Sequence, residues 1–192
     1  MRSTVYFAQR FLARGQYEIK ASTIDRGRAG REEELELGIK WAHHFDLERA
    51  FLAAVGAEVE IPLDAGDPVF VPYWSAAKGL GESWSFQGTA RSHLPTDDPD
   101  RGDLELSGVM HWLPTAWPRR AFPALELVVA APFDGGELQT SVVPQVFAGL
   151  TRGGHVGLAV GAEIPLSDQP WDVRYHAFLV WEYVDGPIWS GW

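Results

Sequence analysis

The stretch His155–Tyr183, HVGLAVGAEIPLSDQPWDVRYHAFLVWEY, decides how this chain is read. With a period of two, its first half puts Val156, Leu158, Val160, Ala162 and Ile164 on one face, and His155, Gly157, Ala159, Gly161 and Glu163 on the other. After the breaker segment PLSDQPW, the second half repeats the pattern. Val173, Tyr175, Ala177, Leu179, Trp181 and Tyr183 share one side; Arg174, His176, Phe178, Val180 and Glu182 share the opposite one. Successive side chains of a strand point to opposite faces, so this is a hairpin with one apolar face and one small or ionisable face.

A soluble sandwich strand alternates in the same way, because one of its faces meets a core. Three further features point to a membrane. Each run is about ten residues long, near the length a tilted strand needs to cross a bilayer and above the usual five or six of soluble strands. The apolar face of the second run ends in Trp181 and Tyr183, aromatics suited to a headgroup interface. The other face carries charge in mid-strand, which suits a watery or salt-bridged lumen better than a packed core.

Working outward, the same grammar recurs in YEIKAST (17–23), ELELGIKWAHH (34–44), FLAAVGAEVEI (51–61), VFVPYWSAAK (69–78), SWSFQGTARSH (83–93), DLELSGVMHW (103–112), ALELVVAAP (124–132) and ELQTSVVPQVFAGL (137–150). Pro72 and Pro144 fall inside these runs and demand an edge, a bulge or an unpaired ladder position. PLDAGDP, GLGES, LPTDDPDRG, FDGG and Gly153-Gly154 separate the runs as turns and loops; the basic run Arg26–Arg31 reads as a solvated loop, and LPTAWPRRAF as a connector made interfacial by Trp117. VYFAQRFLA (5–13) is compatible with a short helix or a strand, and Val5–Leu12 could supply a closing strand.

Composition agrees. The formal net charge of −10 and pI near 5.0 argue against nucleic-acid binding, which needs a basic face. There is no cysteine, hence no disulfide framework, thiolate nucleophile or cysteine metal site. Nine Trp, ten Phe and five Tyr supply aromatic girdles, and twenty Gly and thirteen Pro supply turns. No apolar run reaches the eighteen or so residues of a transmembrane helix. Val5-Tyr6-Phe7-Ala8 is too short for a secretory signal, and a barrel needs export, so the expectation is a mature form or a truncated start.

The order ELELGIKW (34–41), FLAAVGAEVEIPL (51–63), VPYWSAAKGLGESWSFQGTAR (71–91), PQVFAGLTRGGHVGLAVGAEIPL (144–166) and YHAFLVWEY (175–183) resembles the outer-membrane transporter-like barrels of the meta-pathway of phenol degradation family. The resemblance covers Glu34 to Tyr183 and rests on strand grammar. It implies an outer-membrane barrel of about a dozen strands with a role in uptake of hydrophobic or aromatic compounds. The chain departs from that pattern at its amino end, which puts closure of the barrel in question. An open edge in lipid would leave backbone groups unpaired.

The alternation places Glu36, Lys40, His44, Glu58, Glu60, Arg91, Glu105, His111, Glu126, Glu163, Arg174, His176 and Glu182 toward the lumen. Trp41, Trp112, Leu158, Leu179, Trp181 and Tyr183 are assigned to the lipid face or its girdles. Acids outnumber bases, which fits a salt-bridged lumen or a pathway favouring cations and polar solutes. His43 and His44 point to opposite faces of a strand, so no shared metal is expected. Ser92-His93 and Ser107 near His111 are the local Ser/His combinations; neighbours on a strand point apart, and no nucleophile elbow is present, so neither catalysis nor a cofactor is expected.

The expectation is therefore an all-β single domain over 1–192, an antiparallel up-and-down transmembrane β-barrel of about 10–12 strands. Within it, 34–183 forms the regular meander and 1–33 is left unassigned. Its place would be the outer membrane of a Gram-negative-type bacterium, and its role a passive channel or transporter for small solutes, hydrophobic or aromatic ones included. Its partners would be the lipid bilayer, a small-molecule solute and, at an uncovered edge, further chains. Two alternatives remain at this stage. One is a soluble β-barrel holding an apolar ligand, with its mid-strand glutamates outside. The other is a structural barrel subunit of a larger membrane assembly.

Overall fold

The computed structural model describes residues 1–10, 14–25, 31–113, 121–150 and 156–183. The expected runs are strands: β2 (Gly15–Asp25), β3 (Arg31–Asp46), β4 (Phe51–Pro62), β5 (Val69–Leu80), β6 (Trp84–Pro95), β7 (Asp103–Trp112), β8 (Ala121–Pro132), β9 (Gln139–Gly149), β10 (Val156–Pro165) and β11 (Arg174–Tyr183). The undecided amino-terminal segment is also a strand, β1 (Arg2–Arg10). Each strand pairs with its sequence neighbours, and the wall closes through β1 and β11 into an eleven-stranded barrel. The edge left in question is thus covered by the chain itself.

The barrel is antiparallel, as expected, at every ladder but the closing one. Arg2 to Gln9 pair in parallel with His176 to Tyr183, whereas the other ladders are antiparallel. In a meander each strand reverses the last, so an odd number brings the first and last strands together pointing the same way. The rim holding Arg2 and the β2–β3, β4–β5, β6–β7, β8–β9 and β10–β11 connections is called the lower rim, and the opposite one the upper rim.

The prolines sit where a ladder is interrupted. Pro72 pairs with Ala57 of β4, while the β5–β6 register skips Val71 and Pro72 between Phe70↔Leu94 and Tyr73↔Arg91. Pro144 pairs with Leu125 of β8, and the β9–β10 register skips Val143 and Pro144. A residue without an N–H is tolerated at such gaps. GLGES and FDGG are turns whose Gly81 (φ 69) and Gly135 (φ 81) adopt the left-handed backbone that favours glycine. The LPTDDPDRG loop holds a short 3-10 turn, Pro99–Arg101, with Arg101 paired to Asp97 and Asp98. Residues 26–30 of the basic loop, the connector 114–120 with Trp117, and Gly153, Gly154 and His155 lie outside the described residues.

The barrel has little apolar core. Among the described residues the buried hydrophobic ones are Ala8, Ala53, Ala54, Val71, Val109 and Val143; all but Ala53, which pairs with His44 on the outer face, share the interior with buried Thr4, Glu18, Ser22, Glu36, Glu58 and Ser141. Large apolar side chains lie outside instead, among them Val5, Ile19, Leu37, Ile39 (61 % exposed), Trp41, Phe70, Leu106, Leu125 and Val160. Register explains the division: along β3, Leu35, Leu37, Ile39 and Trp41 alternate with Glu34, Glu36, Gly38 and Lys40, and the pairings carry this alternation across the neighbouring strands.

Candidate functional site

The barrel interior gathers the ionisable side chains, and their positions divide it into two levels. Toward the lower rim lies an ion-paired layer. Lys20 of β2 places Nζ 2.9 Å from Glu36 Oε2 and 2.8 Å from both carboxylate oxygens of Glu58. Arg2 of β1 donates to Glu36 Oε1 at 3.0 Å and stands 3.8 Å from Glu34 Oε1. Ser22 and Thr4 share a hydrogen bond at 2.9 Å beneath these charges. Glu36 and Glu58 are each only 5 % exposed, so their charges are stabilised by these partners rather than by bulk water.

On the facing wall, Arg91 Nε lies 3.3 Å from Glu105 Oε1, and His93 Nδ1 lies 2.7 Å from Asp103 Oδ1. Nearer the seam, Glu163 collects Ser141 Oγ at 2.8 Å, His176 Nε2 at 3.0 Å and Arg174 at 3.4 Å. Val71, fully buried, fills space opposite Glu58 in register. This level is packed by its own side chains.

The upper level is wider. A cavity of about 580 Å³ opens there, lined by Arg14, Gln16, Lys40, Phe45, Leu52, Ala54 and Gln87 among others. Lys40 is held by Glu18 at 2.5 Å, and Gln16 bridges Glu18 and the Tyr6 hydroxyl. Across the barrel, Phe122 and Phe147 stack at 4.9 Å between centroids and His111 meets Phe122 edge-on at 5.7 Å. Two glycines make room for rings that lie over them. A Cβ at Gly56 would run into Tyr73 and sit 2.7 Å from the Ile39 carbonyl oxygen, and one at Gly157 would run into Phe147.

Of the residues assigned inward from sequence, Lys40, Glu58, Glu60, Arg91, Glu105, His111, Glu126, Glu163, Arg174 and His176, with Glu36, occupy the lumen face. Glu126 accepts from Gln145 at 3.1 Å, and Ser85 lies 3.4 Å from His111 Nδ1. His44 is a correction: it faces outward. The β3–β4 register shifts between Ala42 and His44, so a bulge breaks the alternation. His43 and His44 both end up outside, the former accepting from Trp74 Nε1 at 3.3 Å and the latter packing on Phe51 at 5.4 Å. Phe45 takes the inward position instead, beside Leu52 at the cavity. Trp41 and Trp112 are exposed on the outer face, and Leu158 pairs with Leu179 there. The side chains of Trp181, Glu182 and Tyr183 lie outside the described residues, although their backbone belongs to β11.

Sequence reasoning missed Arg2, Glu18, Lys20, Glu34, Tyr73, His93 and Asp103 as members of this interior. For Glu18 and Lys20 the signal was present in YEIKAST, where they oppose Tyr17, Ile19 and Ala21. For Arg2 no pattern existed, because a single strand end carries no periodicity. The carboxylate oxygens of Glu34, Glu36 and Glu60 come within 4.8 Å of one another, a spacing compatible with a metal. Arg2 pairs with Glu34 and Glu36, and Lys20 with Glu36, so two of the three carboxylates already face a cation.

What these features define is a class: a closed β-barrel with a charged interior and an apolar exterior. No protein-family model matches the chain, and no curated protein matches it.

Proposed function

We propose that this chain is an outer-membrane β-barrel that carries small solutes, hydrophobic or aromatic ones among them, across the membrane. The observation that supports the reading best is the inverted distribution of side chains. Carboxylates and ammonium groups lie inside, while large apolar side chains circle the outside in numbers that water would penalise as a contiguous patch. The outer apolar face of β7 runs from Leu104 to Trp112, about 26 Å along the strand at about 3.3 Å per residue. Tilted by about 40°, that covers about 20 Å of bilayer, close to the apolar band of membrane barrels. Near the upper rim Trp84 and Trp112 stack on adjacent strands at 6.3 Å, with Trp41 further round the same face, as a girdle at the headgroup level would be built. The strand grammar resembling the meta-pathway of phenol degradation family agrees with this role.

The inward glutamates weigh against the soluble, ligand-holding alternative, which needs them outside. The upper cavity then serves as the entry chamber, and the ion-paired layer below it as the constriction a solute must pass, its acids favouring cations and polar groups. The packed lower level also favours a second reading, a structural barrel subunit of a membrane assembly. Membrane fractionation followed by gel mobility of unheated and boiled samples tests the barrel in its membrane, and conductance in planar bilayers separates transport from structure. Recovery in the aqueous fraction with no heat-dependent shift would sink the membrane reading.

A further inference from the structure

The upper cavity has a chemistry of its own that differs from the acid-rich level beneath it. Both charged residues lining it among the described residues, Arg14 and Lys40, are cationic. Glu18 neutralises Lys40 from just below, so the local balance is set by the exposed guanidinium of Arg14. Gln87 adds an amide donor, and Phe45 and Leu52 form an apolar wall in cross-strand register. That wall exists because of the β3 bulge: regular alternation would have put His44 inside and Phe45 outside. Bulges commonly re-aim a side chain beside a functional site. The volume, about 580 Å³, lies in the range of small-molecule sites, which pair a mostly apolar lining with a few convergent polar groups.

We propose that this cavity binds an amphipathic organic anion, a carboxylate or sulfonate on a medium-length apolar body. The anion sits between Arg14 and Lys40, sharing Lys40 with Glu18, and accepts a hydrogen bond from Gln87. The apolar body lies along Phe45 and Leu52. The acidic layer below repels the same charge and holds the headgroup at the upper mouth. The proposal deepens the transport reading, because it names the class of molecule its entry chamber would capture.

The test uses three probes with the same eight-carbon chain: octanoate, octylammonium and octanol. Each is measured by equilibrium dialysis against the full chain in detergent micelles, with protein-free micelles subtracted. Octanoate binds about tenfold or more tighter than octylammonium, the worth of one charge-assisted hydrogen bond. Arg14→Gln removes that preference and leaves octanol unchanged, whereas Phe45→Ser weakens octanoate and octanol alike. Both positions are solvent-exposed at the mouth, and heat-shifted gel mobility confirms that each variant is folded. Equal binding of octanoate and octylammonium, or octanoate binding indifferent to Arg14→Gln and Phe45→Ser, would overturn the proposal. Fractionation of cells is scored separately: selective octanoate binding by a chain found in the aqueous fraction would keep this site and remove the membrane reading.

Discussion

Lys20 and Glu58, 38 residues apart in the chain, meet inside the barrel with the ammonium 2.8 Å from both carboxylate oxygens, although the strand between them belongs to neither. The same ammonium reaches Glu36 at 2.9 Å, so one cation ties the neighbouring strands β2, β3 and β4 together on the lumen face of the wall. Removing it takes the ammonium from two almost fully buried carboxylates, of which Glu36 keeps Arg2 and Glu58 does not. Lys20→Met is therefore expected to cost about 3–5 kcal/mol of folding stability. Adding Glu58→Gln should recover part of that loss. Urea unfolding in lipid vesicles, followed by tryptophan fluorescence, measures both; a single variant as stable as the native chain would show that the network contributes nothing.

Tyr73 lies across Gly56, where even one methyl group collides with the ring and approaches the Ile39 carbonyl. Gly56→Ala should destabilise the barrel by about 1–3 kcal/mol, the usual cost of overpacking. Combining it with Tyr73→Ala should cost less than the two changes added, because the collision with the ring is gone and only the approach to the Ile39 carbonyl remains. Strict additivity in the same unfolding experiment would mean that the ring and the glycine are independent.

Leu179 and Ala159 lie on adjacent strands but on opposite faces, Leu179 outward beside Leu158 and Ala159 inward. On the membrane reading, Leu179→Lys should cost about 2–4 kcal/mol, while Ala159→Lys should be tolerated. Refolding yields and stabilities in vesicles compare the two. Similar damage at both sites would speak against a lipid-facing exterior.

The bulge in β3 makes a prediction about neighbouring residues. The chain has no cysteine, so single cysteines report cleanly. A nitroxide attached at His44→Cys should be relaxed by oxygen dissolved in lipid, and one at Phe45→Cys by a water-soluble nickel chelate. Unbroken alternation would give the reverse pattern.

The period-two alternation by itself determined that the chain is all-β, that ten strands run from Tyr17 to Tyr183, and which face of nearly every strand carries charge. That information is local, since side chains two apart on a strand share a face whatever they pair with. Closure, by contrast, depended on whether β1 could find β11, and a nine-residue segment such as Arg2–Arg10 has too few alternations to declare itself. His44 was misplaced because a bulge adds one residue to a ladder and inverts everything beyond it, and only the pairing partner, Ala53, reveals the extra residue. The grouping of Arg2, Lys20, Glu36 and Glu58, and of Arg14, Lys40, Phe45 and Leu52, was likewise decided by tertiary structure. Register and barrel closure set which residues from different strands share a level, and neither is written in the period of any one strand.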